Sequence, residues 1–325
     1  MKNFVLLISK TPEDRTFVER AAQIAGIPVR VVESVESAGK VFLAGEIPQA
    51  VFLDLPEERN YREFDRLVNA QSRQFQETLL SDRLHFLISR NIDECPYLVA
   101  GPYAGNILKR SGALEHEGVH YGRILQCTLS QKGPELLGPE FKNRGGVTQE
   151  FVLGRTTEKQ SAIEKVRDLF LEHGFLGRVA EVIATAADEL LMNAMFDAPV
   201  DDAGRQIYSK VDRSTDFELL GRHAVKMVVG FDGAYGAVSV TDSFGSLERA
   251  KLLKHVLKLY KDDTYHLGTE VAGAGIGLAS VFQLGGSLFF FSEQGKKTEV
   301  IAFFKRAESF REYRGHFRFL TMQFR

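Results

Sequence analysis

The sequence predicts an α/β protein built from two structurally different halves. In the first half, short apolar strands alternate with amphipathic helices, which is the pattern of a doubly wound parallel sheet with helices on both faces. In the second half, periodic helices precede two β-hairpins, which indicates an α+β sandwich of one helical layer on one sheet. The chain of 325 residues is also long enough for about two domains of ~150 residues each.

The first half is divided into elements by its turn and capping signals. Its first helix has Thr11 at the N-cap, Pro12 at the first helical position, and Glu13 and Asp14 in the first turn. We predict strands at "FVLLIS", "VRVVES", "AVFLDL", "LHFLIS" and "YLVAG", and helices over Pro12–Ala25, Val35–Ala44, Tyr61–Leu80 and Tyr103–Arg110. Gly112 is placed as the stop of the last helix.

The second half begins with a strand, "TQEFVLG", and two helices over Glu158–His173 and Leu176–Asp197. The second helix carries an apolar stripe at helical spacing, as expected of a helix that faces a sheet. The stripe consists of Val179, Ile183, Ala186, Leu190 and Ala194. Two hairpins follow, "AVKMVVGF" with "GAVSVTD" and "GSLFFFS" with "TEVIAFF".

These elements predict a first domain over residues 1–112 and a second over 148–306. Residues 113–147 are rich in glycine, proline and charge and are expected to be a connector, interrupted by a strand at "GRILQCTLS". The tail, 307–325, is expected either to add a strand or to dock a partner.

The composition limits the partners of the protein. The 41 basic and 43 acidic residues leave no excess of positive charge to neutralise a nucleic-acid backbone, so no nucleic acid is expected. The apolar runs at Phe4–Ile8 and "SLFFFS" are shorter than a signal-peptide core and a membrane span, respectively. We therefore expect a cytoplasmic protein without a membrane association.

Asp54 ends the third strand, at the edge where ligands bind in parallel sheets. Together with Ser89 at the end of the fourth strand, it makes this half resemble a bacterial response-regulator receiver domain, whose third-strand aspartate is phosphorylated. The family also has an acidic pair after the first strand, where Ser9 and Lys10 stand here. The resemblance therefore implies a degenerate receiver-like domain in which Asp54 is not a working phosphoacceptor.

The stretch "VAGAGIGLAS" places Gly273, Gly275 and Gly277 at alternate positions before an apolar helix. A dinucleotide fingerprint would need a strand directly before these glycines, but helix and loop precede them. The Gly-Lys-Ser/Thr ending of a P-loop is also absent from the sequence. Bare backbone amides at a helix start nevertheless suit phosphate groups.

Three polar residues have the chemistry of a nucleotide site. Glu189 and Asn193 are four residues apart and project from one edge of a helix. The Asn193 carbonyl oxygen suits Mg²⁺, and a carboxylate one turn away can deprotonate a nucleophile. Asp242 ends a strand about 50 residues later, where it can accept a hydrogen bond from the exocyclic amine of adenine.

The order of these residues resembles the Bergerat-type, or histidine kinase-like, ATP-binding domain shared by gyrase subunits, heat-shock chaperones, sensor histidine kinases and anti-sigma-factor serine kinases. "DELLMNA" corresponds to its N box, "DSFG" to its first glycine box and "GAGIGL" to its second. The resemblance covers residues 148–305 and is closest to the anti-sigma-factor kinases. It implies ATP and Mg²⁺ as cofactors, with Asn193 as the metal ligand and Glu189 as the catalytic base. It also implies nucleotide contacts from Asp242, Gly245 and Thr298.

Two functions from different classes follow from the resemblance. One is an ATP-binding regulatory protein in which nucleotide gates the binding of a partner such as a sigma factor or an anti-anti-sigma factor. The other is a Mg-ATP-dependent serine/threonine protein kinase. The first glycine box has Phe244 and a single glycine, Gly245, where the family has two, and we expect Phe244 to crowd the adenine and to favour the binder. The sequence leaves open whether Asp197 joins the site and whether the chain forms a homodimer.

Overall fold

The computed structural model describes residues 3–80, 82–89, 94–101, 105–110, 114–129, 137, 146–252 and 276–325. The chain divides into two compact units. Unit 1 consists of Met1–Pro134 and Phe317–Met322, and unit 2 of Glu135–His316 and Gln323–Arg325. The fold is mixed α/β, and within the described residues no helix has the length and apolar character needed to cross a membrane.

Unit 1 contains the parallel sheet that the sequence predicts. Its strands are β1 (Val5–Ile8), β2 (Val29–Val32), β3 (Ala50–Leu53), β4 (Leu84–Ile88) and β5 (Asn106–Lys109). They lie in the order β2-β1-β3-β4-β5, and every neighbouring pair is parallel. This is the flavodoxin-like order of doubly wound sheets, whose ligand sites lie at the carboxyl ends of the strands.

The described helices of unit 1 are α1 (Pro12–Ala25), α2 (Val35–Leu43), α3 (Glu58–Asn69), α4 (Arg73–Leu80), α5 (Pro96–Ala100) and α6 (Leu114–Leu129). Helix α1 begins after Thr11 with Pro12 at its first position, but the Thr11 side chain makes no capping hydrogen bond and donates to Asp54 instead. It ends at Gly26, whose φ of 74° is the left-handed conformation that glycine tolerates best. The α1 bounds therefore agree with the prediction.

The prediction was wrong at the last strand of the parallel sheet. Strand β5 is formed by Asn106–Lys109, within the segment predicted as the helix Tyr103–Arg110, and the predicted strand "YLVAG" is instead helix α5. Unlike the other short strands of this sheet, β5 has only two apolar residues, Ile107 and Leu108, between Asn106 and Lys109, so it lacks the apolar run of a buried strand. Arg110 therefore directly follows the fifth strand, where the predicted strand "YLVAG" would have placed Pro102.

The region 113–147 also differs from the prediction, since Leu114–Leu129 forms helix α6 where a connector with a strand at "GRILQCTLS" was expected. Helix α6 packs closely against α1 through Gly118 and Gly122. A Cβ atom at these positions would lie 2.9 Å from the carbonyl oxygen of Phe17 and 2.7 Å from that of Ala21. The glycines that weaken the helix signal in the sequence are what allow this contact.

The tail of the chain adds a strand, which is one of the two alternatives predicted for residues 307–325. Strand β11 covers Arg318–Phe324, and its first part, Arg318–Thr321, pairs antiparallel with Asn106–Lys109. Unit 1 is therefore completed by residues that follow unit 2 in the sequence.

Unit 2 has helices packed on antiparallel strands. Its strands are β6 (Val147–Leu153), β7 (Val225–Phe231), β8 (Tyr235–Asp242), β9 (Ser287–Glu293) and β10 (Lys297–Lys305), in the order β9-β10-β8-β7-β6. Its described helices include α7 (Glu158–Glu172), α8 (Gly177–Met192), α9 (Ile276–Leu284) and α10 (Phe310–Gly315). The predicted stripe of α8 is buried, and α8 packs against β8 and β10. The end of α8 and the ends of these two strands position the candidate site.

Candidate nucleotide site

A cavity of about 160 Å³ lies in unit 2 beside the end of α8 and the adjoining ends of β8 and β10. Its walls are largely apolar, and a few polar side chains converge on it. The apolar wall includes Leu190, Val240, Leu278, Phe290 and Val300, and the polar wall includes Asn193, Asp197, Gln206, Asp242, Ser246 and Thr298. An apolar pocket with few polar groups is typical of small-molecule sites.

Helix α8 continues into a single π-helical turn over Asn193–Asp197. The carbonyl oxygen of Asn193 accepts a hydrogen bond from the amide of Ala198 at 2.8 Å, five residues on. Such turns are often found at functional sites. Both Asn193 and Asp197 line the cavity. Asp197, whose membership of the site the sequence does not decide, therefore lies in the cavity wall.

Two polar atoms in the wall are buried without a hydrogen-bond partner among the described residues. They are the side-chain oxygen Oδ1 of Asn193 and the hydroxyl Oγ1 of Thr298. A buried polar atom without a partner costs about 1–3 kcal/mol, so native proteins rarely leave one unsatisfied. These two atoms therefore fit a polar ligand in the cavity.

Asp242 lies directly opposite Thr298 in the register of β8 and β10, and only 5% of its surface is exposed. Its Oδ1 accepts hydrogen bonds from the amides of Phe244 and Gly245 at 2.9 and 3.4 Å. Burial raises the pKa of Asp242 to about 6, although these amides and the adjacent Thr298 act to lower it. The Thr298 hydroxyl is thus close to Asp242 without making a well-formed hydrogen bond.

Glu189 is partly buried and lies one turn before Asn193, but it is not part of the described cavity wall. Burial and the neighbouring Asp188 raise its pKa, while Arg213 and Lys159 act in the opposite direction. Arg213 also donates a hydrogen bond to Oδ2 of Asp197 at 3.2 Å. Two acidic side chains at the end of α8 therefore share one arginine.

The glycines of the site have different positions. Gly273 and Gly275 lie outside the described residues, and Gly277 lies in the first turn of α9. Gly245 has a φ of 59°, and a Cβ atom there would lie 2.0 Å from the carbonyl oxygen of Glu293. The conformation and close packing of Gly245 both require glycine.

Phe244, which the sequence predicts to lie beside the adenine, lines a groove next to the cavity. Among the described residues, the cavity wall includes neither Phe244 nor Gly245; both line an adjacent groove of about 700 Å³. The Phe244 ring packs 5.1 Å from the His223 ring, and the Arg222 guanidinium lies 4.5 Å above it. Asp242 holds the turn through the Phe244 amide, which directs the Phe244 ring into this groove.

Sequence reasoning missed Gln206 and Ser246 in the cavity wall. Gln206 donates from its side-chain amide to the Asp197 carbonyl at 2.8 Å, and the Ser246 hydroxyl donates to the Ala198 carbonyl at 2.7 Å. Both residues lie in irregular segments that have no hydrophobic period. The only available signal was the nearness of Ser246 to the first glycine box.

Unit 1 contains a second group of converging polar side chains at the ends of its parallel strands. This group, the Asp54 cluster, consists of Ser9, Thr11, Asp14, Asp54 and Arg110. The sequence predicts Asp14 as an acid in the first turn of a helix, but its side chain is 1% exposed and pairs with Arg110. Ser89, the other receiver-like residue, is exposed.

Comparisons with known proteins leave the function to be argued from the site itself. No protein-family model matches the chain, and no curated protein matches it significantly. Among the described residues there is also no group of three or more His, Cys, Asp or Glu side chains that could hold a metal ion.

Proposed function

We propose that unit 2 binds ATP together with Mg²⁺, and that the bound nucleotide gates the binding of a regulatory partner protein. The observation that carries the proposal is the convergence of Asn193, Asp242 and Thr298 on one cavity, where two oxygen atoms are buried without partners. The order of these residues resembles a Bergerat-type ATP-binding domain closest to the anti-sigma-factor kinases. In this proposal unit 1 is a degenerate receiver-like domain, and the protein is cytoplasmic.

The size and lining of the cavity support binding of the adenine base. A cavity of ~150 Å³ holds one benzene ring, so about 160 Å³ suits a base and not a whole nucleotide. Val240, Phe290 and Val300 offer apolar surface to the base. The carboxylate of Asp242 would accept a hydrogen bond from the exocyclic amine, and the hydroxyl of Thr298 would bind a ring nitrogen or a bridging water.

The donor set at the end of α8 supports Mg²⁺ next to the base. Asn193 offers an amide oxygen and Asp197 a carboxylate, and hard oxygen ligands of this kind are preferred by Mg²⁺. The metal ion would supply positive charge to the phosphates of ATP. Asn193 would hold the ion, and Asp197 would orient it while remaining paired with Arg213.

A serine/threonine protein kinase is the second candidate function. Glu189 lies one turn before Asn193, and burial raises the pKa of its carboxyl, which makes it a stronger base. The binder is preferred because Glu189 is not part of the described cavity wall and lies among Asp188, Arg213 and Lys159. The partner, whether bound or phosphorylated, is expected to be of the sigma-factor or anti-anti-sigma-factor type.

Calorimetry of the full chain with Mg·ATP tests the proposal. We expect binding by the unmodified protein and a loss of affinity of about 5- to 100-fold in Thr298→Val, which keeps the side-chain shape but removes the hydroxyl. Thr185→Val is the matched control, because Thr185 is exposed on α8 and is not part of the described cavity wall. Failure of the folded protein to bind millimolar Mg·ATP would contradict the proposal.

A phosphate-transfer assay separates the two functions. Incubation with labelled ATP and co-purifying proteins should leave those proteins unlabelled if the protein is a binder. Labelling that disappears in Glu189→Gln would instead assign the kinase function. Partner binding that changes between the ATP-loaded and nucleotide-free protein is the positive result for the binder.

A further inference from the structure

The Asp54 cluster lies at the carboxyl ends of strands β1, β3 and β5, where doubly wound sheets bind their ligands. Arg110 follows β5 and reaches two carboxylates. Its Nε and Nη2 donate to Oδ1 and Oδ2 of Asp14 at 2.5 and 2.6 Å, and its Nη2 also lies 2.8 Å from Oδ1 of Asp54. The guanidinium thus lies between the two acids.

Two hydroxyl groups, from Ser9 and Thr11, also contact the two acids. Ser9 donates to Oδ2 of Asp14 at 2.5 Å, and Thr11 donates to Oδ2 of Asp54 at 3.2 Å. The side chains of Asp14, Asp54 and Arg110 are 1%, 15% and 17% exposed. The cluster therefore combines two largely buried carboxylates, two hydroxyls and one cation that belongs to the chain.

We propose that Arg110 is a built-in cation that closes a latent divalent-metal site formed by Asp14 and Asp54. Carboxylate and hydroxyl oxygens are the ligands that Mg²⁺ and Mn²⁺ prefer. Because Asp14 and Asp54 are both largely buried and close to the same guanidinium, their negative charges require a nearby positive charge. The guanidinium supplies that charge and occupies the space between the acids. The site is consequently closed to metal ions while Arg110 is present.

This inference is independent of nucleotide binding by unit 2, because it concerns only side chains of unit 1. It also gives a physical reason for an inactive Asp54. Each oxygen of Asp54 already receives a donor, one from Arg110 and one from Thr11. A metal ion that would neutralise an incoming anion therefore cannot bind to the Asp54 carboxylate while Arg110 and Thr11 occupy its oxygens.

Titration of the nucleotide-free full chain with Mn²⁺, followed by electron paramagnetic resonance, tests the proposal. We expect Arg110→Gln to bind one Mn²⁺ ion more per chain than the unmodified protein, and Arg110→Gln combined with Asp54→Asn to lose that ion. Absence of an additional ion in folded Arg110→Gln overturns the proposal. A Mn²⁺ ion bound by the unmodified protein and lost in Asp54→Asn overturns it as well.

Two further measurements keep the test decisive. Arg110→Lys retains a positive charge and should bind no additional ion, so an additional ion in this variant would also overturn the proposal. If Arg110→Gln is unfolded in metal-free buffer, millimolar Mn²⁺ should restore its folded circular-dichroism signal, because the metal replaces the missing cation. Failure of Mn²⁺ to restore that signal counts against the proposal.

Discussion

Arg110 and Asp14 form a two-pronged ion pair, with both donor-to-acceptor distances between 2.5 and 2.6 Å. Parallel N–H···O bonds of this kind are among the strongest side-chain interactions in proteins. The Asp14 side chain is 1% exposed, so removal of the guanidinium would leave a buried carboxylate without its cation. The pair therefore ties the end of β5 to the first turn of α1.

Arg110→Ala should destabilise unit 1 by about 3–5 kcal/mol, because breaking a buried ion pair leaves one charge uncompensated. Arg62→Ala removes the exposed pair with Glu58 and should cost less than about 1 kcal/mol. Urea unfolding in metal-free buffer, monitored by hydrogen exchange of unit 1 amides, measures both free energies. A similar decrease in the free energy of unfolding in both variants would show that the ion pair between Arg110 and Asp14 stabilises unit 1 no more than an exposed pair does.

Asp54 should not be phosphorylated by acetyl phosphate in the presence of Mg²⁺, because Arg110 and Thr11 already engage both of its oxygens. Mass spectrometry of the intact protein should give the same mass before and after incubation. A stoichiometric gain of one phosphoryl group that is absent in Asp54→Asn would refute this expectation.

The stability of unit 1 should fall as the pH is lowered below about 6.5. His85 is fully buried, stacks on Phe52 at 4.5 Å, and has Nδ1 within 2.8 Å of the Tyr121 hydroxyl. Burial lowers the pKa of His85 to about 3. Between pH 3 and 6.5 the unfolded chain binds a proton that the folded chain does not, so stability is lost as the pH falls through this range.

Urea titrations of the unmodified protein and of His85→Phe between pH 5 and 7.5 measure this dependence. The variant should lose the contribution of His85 to the pH dependence, which is at most about 1.4 kcal/mol per pH unit. His116, which is exposed, provides the matched control variant His116→Phe. Equal pH dependence in the unmodified protein and His85→Phe would show that His85 titrates alike in the folded and unfolded chain.

The affinity for ATP should rise as the pH increases through about 6. Burial raises the pKa of Asp242 to about 6 in the free protein, and the ionised carboxylate is the better acceptor for an exocyclic amine. The same raised pKa means that ionising Asp242 costs stability, so the contribution of Asp242 to the stability of ligand-free unit 2 should be lost as the pH rises from about 4 to 6.

Calorimetry with ATP at pH 5, 6 and 7 checks the role of Asp242. The ratio of affinities between the unmodified protein and Asp242→Asn should grow with pH, and this ratio cancels the titration of the nucleotide itself. A constant ratio, or equal affinity of the unmodified protein for ATP and GTP, would remove Asp242 from base recognition.

Substitutions at the end of α8 should separate metal binding from catalysis. Asn193→Ala should weaken Mg²⁺-dependent ATP binding and change partner binding, because Asn193 is the proposed metal ligand in the cavity wall. Glu189→Gln should leave both unchanged in a nucleotide-gated binder. In a kinase it should instead reduce turnover by about 10²- to 10⁴-fold with nearly intact nucleotide affinity. Side-by-side calorimetry and phosphate-release assays on the two variants make the distinction.

The success of the sequence predictions followed the strength of the local signals. Helix α1 has a proline at its first position and two acids in its first turn, and its start was predicted from these signals. Strand β5 has polar residues at both of its ends and α6 has two glycines in its packed face, so neither gave a clear apolar pattern. Local patterns do not contain the tertiary contacts that decide such segments.

The cavity of unit 2 was easier to predict from the sequence than the Asp54 cluster of unit 1, because its residues lie in short local motifs. Asn193, Asp242 and Thr298 meet in one cavity because a helix end and two adjacent strand ends meet there, and each was recognised from its own short motif. Arg110 was missed because its partner Asp14 is 96 positions away in the chain. The orientation of Phe244 was also missed, since it depends on the turn that Asp242 holds.

Strand β11 has a consequence for the biosynthesis of the protein. Residues Phe317–Met322 belong to unit 1, yet the ribosome makes them only after Glu135–His316 of unit 2. During translation, the edge of β5 therefore stays unpaired until residues 135–316 have left the ribosome and β11 has been synthesised. A nascent chain that has exposed only residues 1–134 holds an incomplete sheet, so unit 2 has the opportunity to fold before unit 1 is finished.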